Sequence, residues 1–544
     1  MEAHELLNGM NFGRVDAETD SRFDSCFIGT EMLRHILQPQ HSLVIGSKGS
    51  GKSAAFRLLC QDRKRVESLL TKDYEELFFI PVYGLQTDDD LPGLEFQDLH
   101  FSSIDDFRNF WLMYIGLKTA ATLSHNERLA EIVAKSKSKE LKSGYRVIRN
   151  VVRDMGIGRD PGSFAKFKFK IKNLVRPRMN AEVLESDAFN RLLSVDFPHR
   201  TGMSVKALLD TIDTVLEEAN CVAWIILDKL DLLFIDDFVK LKSAITALVQ
   251  ILVEHGNRFK NTQFKIFLRN DIYRQLRIVN KSHLVTYTQE MKWKEHLLMK
   301  LLVSRAVADD NVREWVSNAL GEPIEVAHVI QGNDAFVQKV FYAIFEPSLN
   351  GNGNGNGNGK GSLPVVPFTH IWMLKHLTDG MGHIYPRELI HLGNIAVEKQ
   401  RDLNPAAGRH ASTRLISAAA LREAFAEVSV YRCDTYLYSE FPHLAAHFDL
   451  FRGSDKATFH RSELYELFEG LEPNGDEGIR SIYDAGLITP LGRTVDSSME
   501  FKVPLLYRVG LGITQRGSKI RSDRKSAKEE AENAEISRFE NMII

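Results

Sequence analysis

The segment Gly46-Ser47-Lys48-Gly49-Ser50-Gly51-Lys52-Ser53 constrains this chain more than any other. It satisfies the spacing G-x-x-x-x-G-K-[ST], and its context fits. The apolar run Ser42-Leu43-Val44-Ile45 precedes it, and a helical pattern from Ser53 to Cys60 follows. Strand, loop and helix in that order make a phosphate cradle. The glycines let the backbone curl so that successive N–H groups point inward, and the helix N-terminus adds partial positive charge. Lys52 is placed to reach the outer phosphates of a nucleotide such as ATP, and the Ser53 hydroxyl to ligate Mg²⁺. Gly46, Ser47, Lys48, Gly49, Ser50, Gly51, Lys52 and Ser53 are therefore the expected nucleotide-binding residues.

Three further apolar runs read as buried strands alternating with helices, at 77–85 (LFFIPVYGL), 221–228 (CVAWIILD) and 263–271 (QFKIFLRND). They predict an α/β fold around a parallel sheet. The run at 221–228 ends in Asp228, the expected Mg²⁺ residue together with Ser53. Asp231 is the next carboxylate. It reads either as the group that polarises an attacking water or as the N-cap of the following helix. The last run ends in Leu268-Arg269. Arg269 is a candidate sensor of the terminal phosphate, with a surface ion pair as the alternative. Tyr385-Pro386-Arg387-Glu388 opens a helix with proline in its first turn. From there Arg387 reaches back to the nucleotide, or else it is a solvated helix-start arginine.

The 544 residues allow three or four domains. The expected division is an ATPase core from 1–100 and 220–290, and a mostly helical basic insertion over 101–219. A helical lid covers 291–430 and carries the flexible Asn-Gly segment 349–363. A compact unit at 440–512 and a charged tail at 513–544 complete the chain. Residues 1–30 read as polar, ending in an amphipathic lead-in to the first strand. Cys60 and Cys221 read as small core residues, and the scattered cysteine usage suits a reduced compartment. With no leader pattern and no apolar stretch long enough for a membrane span, a cytoplasmic protein is expected.

The net charge of −3 excludes a chain that is basic throughout, but it hides an uneven distribution. Residues 135–178 hold fourteen Lys/Arg against three Asp/Glu. Within them, Lys166, Lys168, Lys170 and Lys172 alternate with Phe167, Phe169 and Ile171. That pattern is either a solvated edge strand or a phosphate-contacting ribbon.

In the C-terminal unit, 456–469 reads as a helix, and a second helix from Glu477 ends in Gly486-Leu487-Ile488. A turn at Pro490–Arg493 and an apolar strand ending near Val509 follow. Helix, turn, helix and two-stranded wing is the winged-helix pattern. Its second helix carries Asp476, Glu477 and Asp484 beside Arg480, a poor face for DNA. Arg493, Lys502 and Arg508 on the wing are the cations able to compensate, so protein contact and DNA contact both stand as readings.

The pieces FIGTEMLR, GSKGSGKS, WIILDKLDLL, KIFLRNDIY, MKWKEHLL…SR and YPRELIHL, in that order, resemble bacterial P-loop ATPases of the AAA+ and STAND classes. In layout they are similar to origin-recognition-type ATPases with a C-terminal winged helix, over most of residues 22–510. The resemblance implies an αβα core, a helical lid, Arg269 as first sensor and Arg387 as lid sensor. It also aligns Arg305 with an arginine that faces a nucleotide, its own or a neighbour's. Many members carry Asp-Glu at the end of the third strand, but here Lys229 follows Asp228. Slow ATP hydrolysis or a nucleotide-gated switch or assembly platform is therefore expected, with antiphage defence as the role many relatives serve. The alternative is a DNA-binding ATPase of replication or repair, contacting DNA through 135–178 and the wing. A homo-oligomer is compatible with either. With no second metal-carboxylate cluster in the sequence, effector activity is expected in a partner protein.

Overall fold

The computed structural model describes residues 3–16, 19–29, 31–38, 41–62, 66–67, 76–83, 101, 103–155, 204–234, 237–255, 259–278, 281–349, 368–406 and 414–514. The lysine alternation at 166–172, residues 350–363 of the Asn-Gly segment and residues 515–544 of the tail lie outside them. The chain divides into two compact units. One comprises Met1–Leu374 and His383–Ala424, the other Lys375–Gly382 and Phe425–Ile544.

The first unit is built on a sheet of five parallel strands: β1 (Leu43–Gly46), β2 (Glu76–Tyr83), β3 (Cys221–Leu227), β4 (Thr262–Arg269) and β5 (Thr288–Glu290). Their spatial order is β2-β3-β4-β1-β5. All seven residues of β3 are buried. That explains its unbroken apolar run, since a parallel sheet covered on both faces needs no polar side. The β5 strand is short and half-buried, and its Thr-Gln-Glu sequence carries no apolar signal. The sequence reading accordingly missed it.

Each face of the sheet has its own apolar cluster. On one side α2 (Glu31–Ile36) and α3 (Lys52–Gln61) pack Leu33, Ile36, Phe56 and Leu59 against Val44, Val222, Trp224 and Phe267. On the other lie α4 (Ile104–Ser124), α6 (Lys139–Met155), α7 (Val205–Glu218) and α8 (Phe238–His255), with α5 (Glu127–Lys135) against α6. The helices between β2 and β3 therefore share one core with the sheet. Trp111 is fully buried there and donates Nε1–H to Ala244 O (3.0 Å).

The chain leaves β1 toward the far edge at β2, then returns through β3 and β4, and crosses β1 to reach β5. This reversal makes the carboxyl end of β1 the switch point of the sheet, where open α/β sheets bind their ligands.

After α9 (Asn270–Gln275), four helices follow β5: α10 (Glu295–Val307), α11 (Asp310–Leu320), α12 (Val326–Gln331) and α13 (Asp334–Ile344). Then come α14 (Thr369–Leu377), α15 (Pro386–Ala406) and α16 (Ala418–Arg432). The polar reading of residues 1–30 is corrected here. Leu6, Leu7, Met10 and Phe12, beginning in α1 (Ala3–Gly9), are buried. Arg401 of α15 donates Nε–H to Leu7 O (2.7 Å), and Asn394 accepts from the Phe12 amide (2.7 Å).

Arg305 of α10 also serves this segment. It is 6% exposed, forms an ion pair with the buried Asp20 (2.5 Å) and donates to Phe12 O (2.9 Å). The phosphate-facing role implied for Arg305 is thereby replaced by a structural one. Gly13 next to it has φ +85, and a Cβ there would fall 2.4 Å from Arg305 Nη1, so glycine is required.

The second unit contains a three-stranded antiparallel sheet, β6 (Thr458–His460), β8 (Glu500–Lys502) and β7 (Thr489–Pro490), in that spatial order. Two helices stand in the sequence between β6 and β7: α18 (Arg461–Leu467) and α19 (Gly475–Asp484), preceded by the short α17 (Ala445–Asp449). The helix expected over 456–469 thus begins as a strand, with Phe459 buried between exposed neighbours. The His460 ring caps the helix by accepting from the Ser462 amide (3.3 Å). The apolar strand expected to run to Val509 stops at Lys502. Leu505–Arg508 forms a single helical turn, α20, because Pro504 cannot donate to a ladder.

Arg508 is a further correction. It is 6% exposed and donates Nε–H to Val503 O (2.9 Å), so it is a core residue and not a wing cation. Cys221 is buried as expected, whereas Cys60 is partly exposed. Among the described residues no helix is long and apolar enough to cross a membrane.

Candidate functional site

The carboxyl ends of the strands carry the chemistry. After β1 the loop turns through Gly49 and Gly51, with φ +88 and +97, and enters α3 at Lys52. Left-handed backbone at both positions accounts for both glycines. Lys52 folds over its own loop and donates Nζ–H to Gly46 O (2.8 Å) and Ser47 O (3.0 Å). Burial pushes its ammonium down to about 8, against the opposing pull of Asp228 and Asp231.

One helical position on, Ser53 donates its hydroxyl to Asp228 Oδ2 at 2.8 Å, across 175 residues of sequence. Asp228 is 2% exposed, and burial raises its pKa, with Lys52 and the Ser53 hydrogen bond opposing. The following residue, Lys229, has φ +54, an uncommon conformation for a non-glycine residue. It lets the chain turn sharply into the 3₁₀ turn Leu230–Leu232.

Asp231 lies within that turn and does not cap the next helix. The cap is Asp237, which accepts from the Lys240 amide (2.9 Å). Asp231 instead faces Arg269 at the tip of β4, 3.4 Å from its Nη1. Asp271 grips the same guanidinium twice, Nε to Oδ1 at 3.1 Å and Nη2 to Oδ2 at 2.8 Å. Arg269 is 8% exposed. The surface ion pair considered for it becomes a half-enclosed one, poised between two carboxylates beside the loop.

Arg387, in the first turn of α15, also comes to the site. A Cβ on Gly49 would lie 3.1 Å from Arg387 Cβ and 3.5 Å from Tyr385 Cβ. Arg387 is partly buried, and its Nε has no hydrogen-bond partner. Lys52, Ser53, Asp228, Asp231, Arg269 and Arg387 are thus gathered around one loop.

The sequence reading missed other members. Trp293 donates Nε1–H to Ser50 O (2.8 Å) and lies within 4 Å of a Cβ built on Gly51. Glu290 ends β5 and accepts from Asn270 Nδ2 (3.3 Å), with His383 Nε2 at 4.0 Å. The short β5 was the missing signal, since without it the strand tip bearing Glu290 has no place in the sheet.

Comparison with protein-family models and with curated proteins found no match.

The donor set fits a hard cation shared with phosphates. Magnesium favours octahedral oxygen ligands, usually one or two from protein with the rest from water and substrate. Ser53 Oγ and Asp228 supply that pair. Among the described residues no group of three or more His, Cys, Asp or Glu forms a dedicated metal cage. The buried, unpartnered Ser50 Oγ and Arg387 Nε are hydrogen-bond capacity beside the same loop that an oxyanion ligand would use.

The Lys52 ammonium makes a pH prediction. In the ligand-free protein it loses its proton near 8, whereas a bound polyphosphate holds the proton to higher pH. For a nucleotide ligand, metal-free ADP affinity should therefore be flat between about pH 7, where its terminal phosphate is ionised, and pH 8. Above it, affinity should fall by up to about tenfold per pH unit, with proton uptake on binding. Calorimetry at pH 8.5 in two buffers of different ionisation enthalpy measures that uptake.

Proposed function

We propose that the first unit is a P-loop nucleotide-binding core that takes Mg²⁺–ATP and works as a nucleotide-gated switch with slow turnover. The observation that carries this reading is the Ser53–Asp228 hydrogen bond at the switch point of the sheet, directly behind the Gly46–Ser53 loop. Ser53 and Asp228 would hold Mg²⁺, which would supply charge neutralisation to the terminal phosphates.

The loop amides and the α3 N-terminus receive the phosphate oxygens. Lys52 exchanges its two carbonyl partners for phosphate oxygens, so loop and ligand compete for one ammonium. Arg269 and Arg387 approach from β4 and α15. A developing negative charge on the terminal phosphate draws Arg269 from its carboxylates. Asp231 is the candidate base, but its carboxylate faces that guanidinium, which favours slow hydrolysis. Arg387 joins α15 to the loop at Gly49, so a change in the loop's contents is felt by the lid-forming helices.

The test is the metal dependence of ATP binding in Asp228→Asn. The amide retains a hydrogen-bond acceptor for Ser53 but removes the charge that holds the cation. Metal-free ATP affinity should stay within about threefold of wild type, and the Mg²⁺-stimulated gain should shrink at least ~10-fold, about 1.4 kcal/mol. Unchanged Mg²⁺ dependence would remove Asp228 from the site. The second unit, with its helix–turn–helix order and β7–β8 hairpin, is proposed as a winged helix serving protein contact. Arg480, the one base on α19, is tied to Asp496 (2.7 Å).

A further inference from the structure

Helix α6 carries a row of cations on its outer face. Lys139, Lys142, Arg146, Arg149 and Arg153 follow one another at steps of three, four, three and four residues, and all five are exposed. That spacing places them on one seam of the helix, about 21 Å long at ~1.5 Å per residue. The opposite face is anchored. Leu141, Tyr145, Ile148, Val151 and Val152 are buried against α4 and α7, and Val215 sits so close to Gly144 that a Cβ there would meet it at 2.6 Å.

Neighbouring acids leave most of the row unneutralised. Asp154 pairs with Arg153 (3.5 Å), Glu131 with Arg128 and Lys135, and Glu218 accepts from Ser138 (2.7 Å). Glu140 is exposed beside the row. Lys139, Lys142, Arg146 and Arg149 have no side-chain ion pair among the described residues.

We propose that this face of α6 binds double-stranded DNA through its phosphate backbone. A rigid row of like charges with empty hydrogen-bonding capacity matches a regular polyanion, whose counterions it displaces on binding. The other exposed or half-exposed positions of this stretch are Glu140, Ser143, Gly144, Val147, Asn150 and Asp154. Val147 is the one with an apolar side chain, and it lies seven residues from Glu140 on a face turned away from the cation seam. No apolar anchor of the kind that centres a protein interface lies on the face. Nor is there an aromatic platform for stacking the bases of a single strand, since Tyr145 is buried and donates its hydroxyl to Ser124 O (3.3 Å). The apolar side of α6 is already spent on the core, so the helix cannot lie in a membrane as an amphipathic anchor. This inference stands on α6 alone and is independent of the nucleotide site.

The experiment is fluorescence anisotropy of a labelled 30-base-pair DNA duplex with the full chain across a salt series. Binding should weaken with salt at a log–log slope of about −3 to −5. The variant Lys142→Gln/Arg146→Gln/Arg149→Gln should bind at least ~10-fold more weakly and lower the slope by about 2 to 3. Exchange of the same three by Lys142→Arg/Arg146→Lys/Arg149→Lys should retain both affinity and slope. The pair Arg493→Gln/Lys502→Gln should change affinity by less than about twofold. Circular dichroism verifies that each variant is folded.

The proposal is overturned if the triple glutamine variant binds DNA as wild type does. It is equally overturned if removing Lys166, Lys168, Lys170 and Lys172 alone abolishes binding. Tighter capture of a single strand, an RNA duplex, phosphatidylserine vesicles or polyglutamate than of the DNA duplex would assign the face to that ligand instead.

Discussion

Lys52→Ala should lower ATP affinity by at least ~100-fold, about 2.7 kcal/mol, and abolish any turnover. Without ligand the half-buried Lys52 donates its ammonium to Gly46 O and Ser47 O, two carbonyls of the loop. On the proposed reading it transfers to two phosphate oxygens, and charge-assisted hydrogen bonds contribute about 1.5–3 kcal/mol each. Alanine loses these and also leaves both loop carbonyls without their donor. Equilibrium binding of a fluorescent ATP analogue, with competition by unlabelled ATP, measures the loss. Lys52→Arg is the informative companion, since it keeps the charge but its planar fork does not fit a site built for a compact ammonium. Unchanged affinity in Lys52→Ala would dismiss the nucleotide assignment. It would leave the α6 inference standing, because DNA binding is read by another probe at another place.

The second large effect is on stability. Arg305→Ala should destabilise the first unit by about 3 kcal/mol, since the buried Asp20 would keep two backbone amide donors but lose its countercharge. The same change removes the donor that Arg305 gives to Phe12 O, so the N-terminal segment loses a tie to α10. Denaturant unfolding followed by circular dichroism should show an earlier midpoint. The double variant Arg305→Met/Asp20→Asn should recover much of the loss, because both buried charges go while the side-chain oxygen at position 20 still accepts from the Arg14 and Arg22 amides (both 3.2 Å). A single variant as stable as wild type would mean that water reaches Asp20. If Arg305 instead served a nucleotide, Arg305→Ala would weaken ATP binding at unchanged stability. The two outcomes are cleanly separated.

Legibility in the sequence followed the range of the interactions. The β1–loop–α3 unit could be read because each of its parts is local. An apolar run makes the strand, glycines permit positive φ at 49 and 51, and Lys52 lies one residue beyond the turn. The runs for β2, β3 and β4 were legible because both faces of the sheet are covered. Asp228 and Arg269 could be named because a strand tip is a local position. β5 could not be read, since three half-buried polar residues acquire strand character only from the backbone of β1 beside them. The boundary between β6 and α18 was misread because Phe459 suits either a helix face or an alternating strand. Only pairing with β8 decides between them.

The sequence by itself thus determined the chemistry on offer: a glycine-bounded loop with lysine and serine, a buried strand ending in aspartate, and a concentration of cations over 135–178. Tertiary structure alone decided how that chemistry is deployed. It brought Ser53 to Asp228, set Arg387 beside Gly49, turned Arg305 inward to Asp20 and withdrew Arg508 into the core. Three of these four meetings join residues more than 170 positions apart. No periodicity in the chain encodes such contacts. They follow from the one arrangement that buries both faces of the sheet while giving its enclosed charges partners.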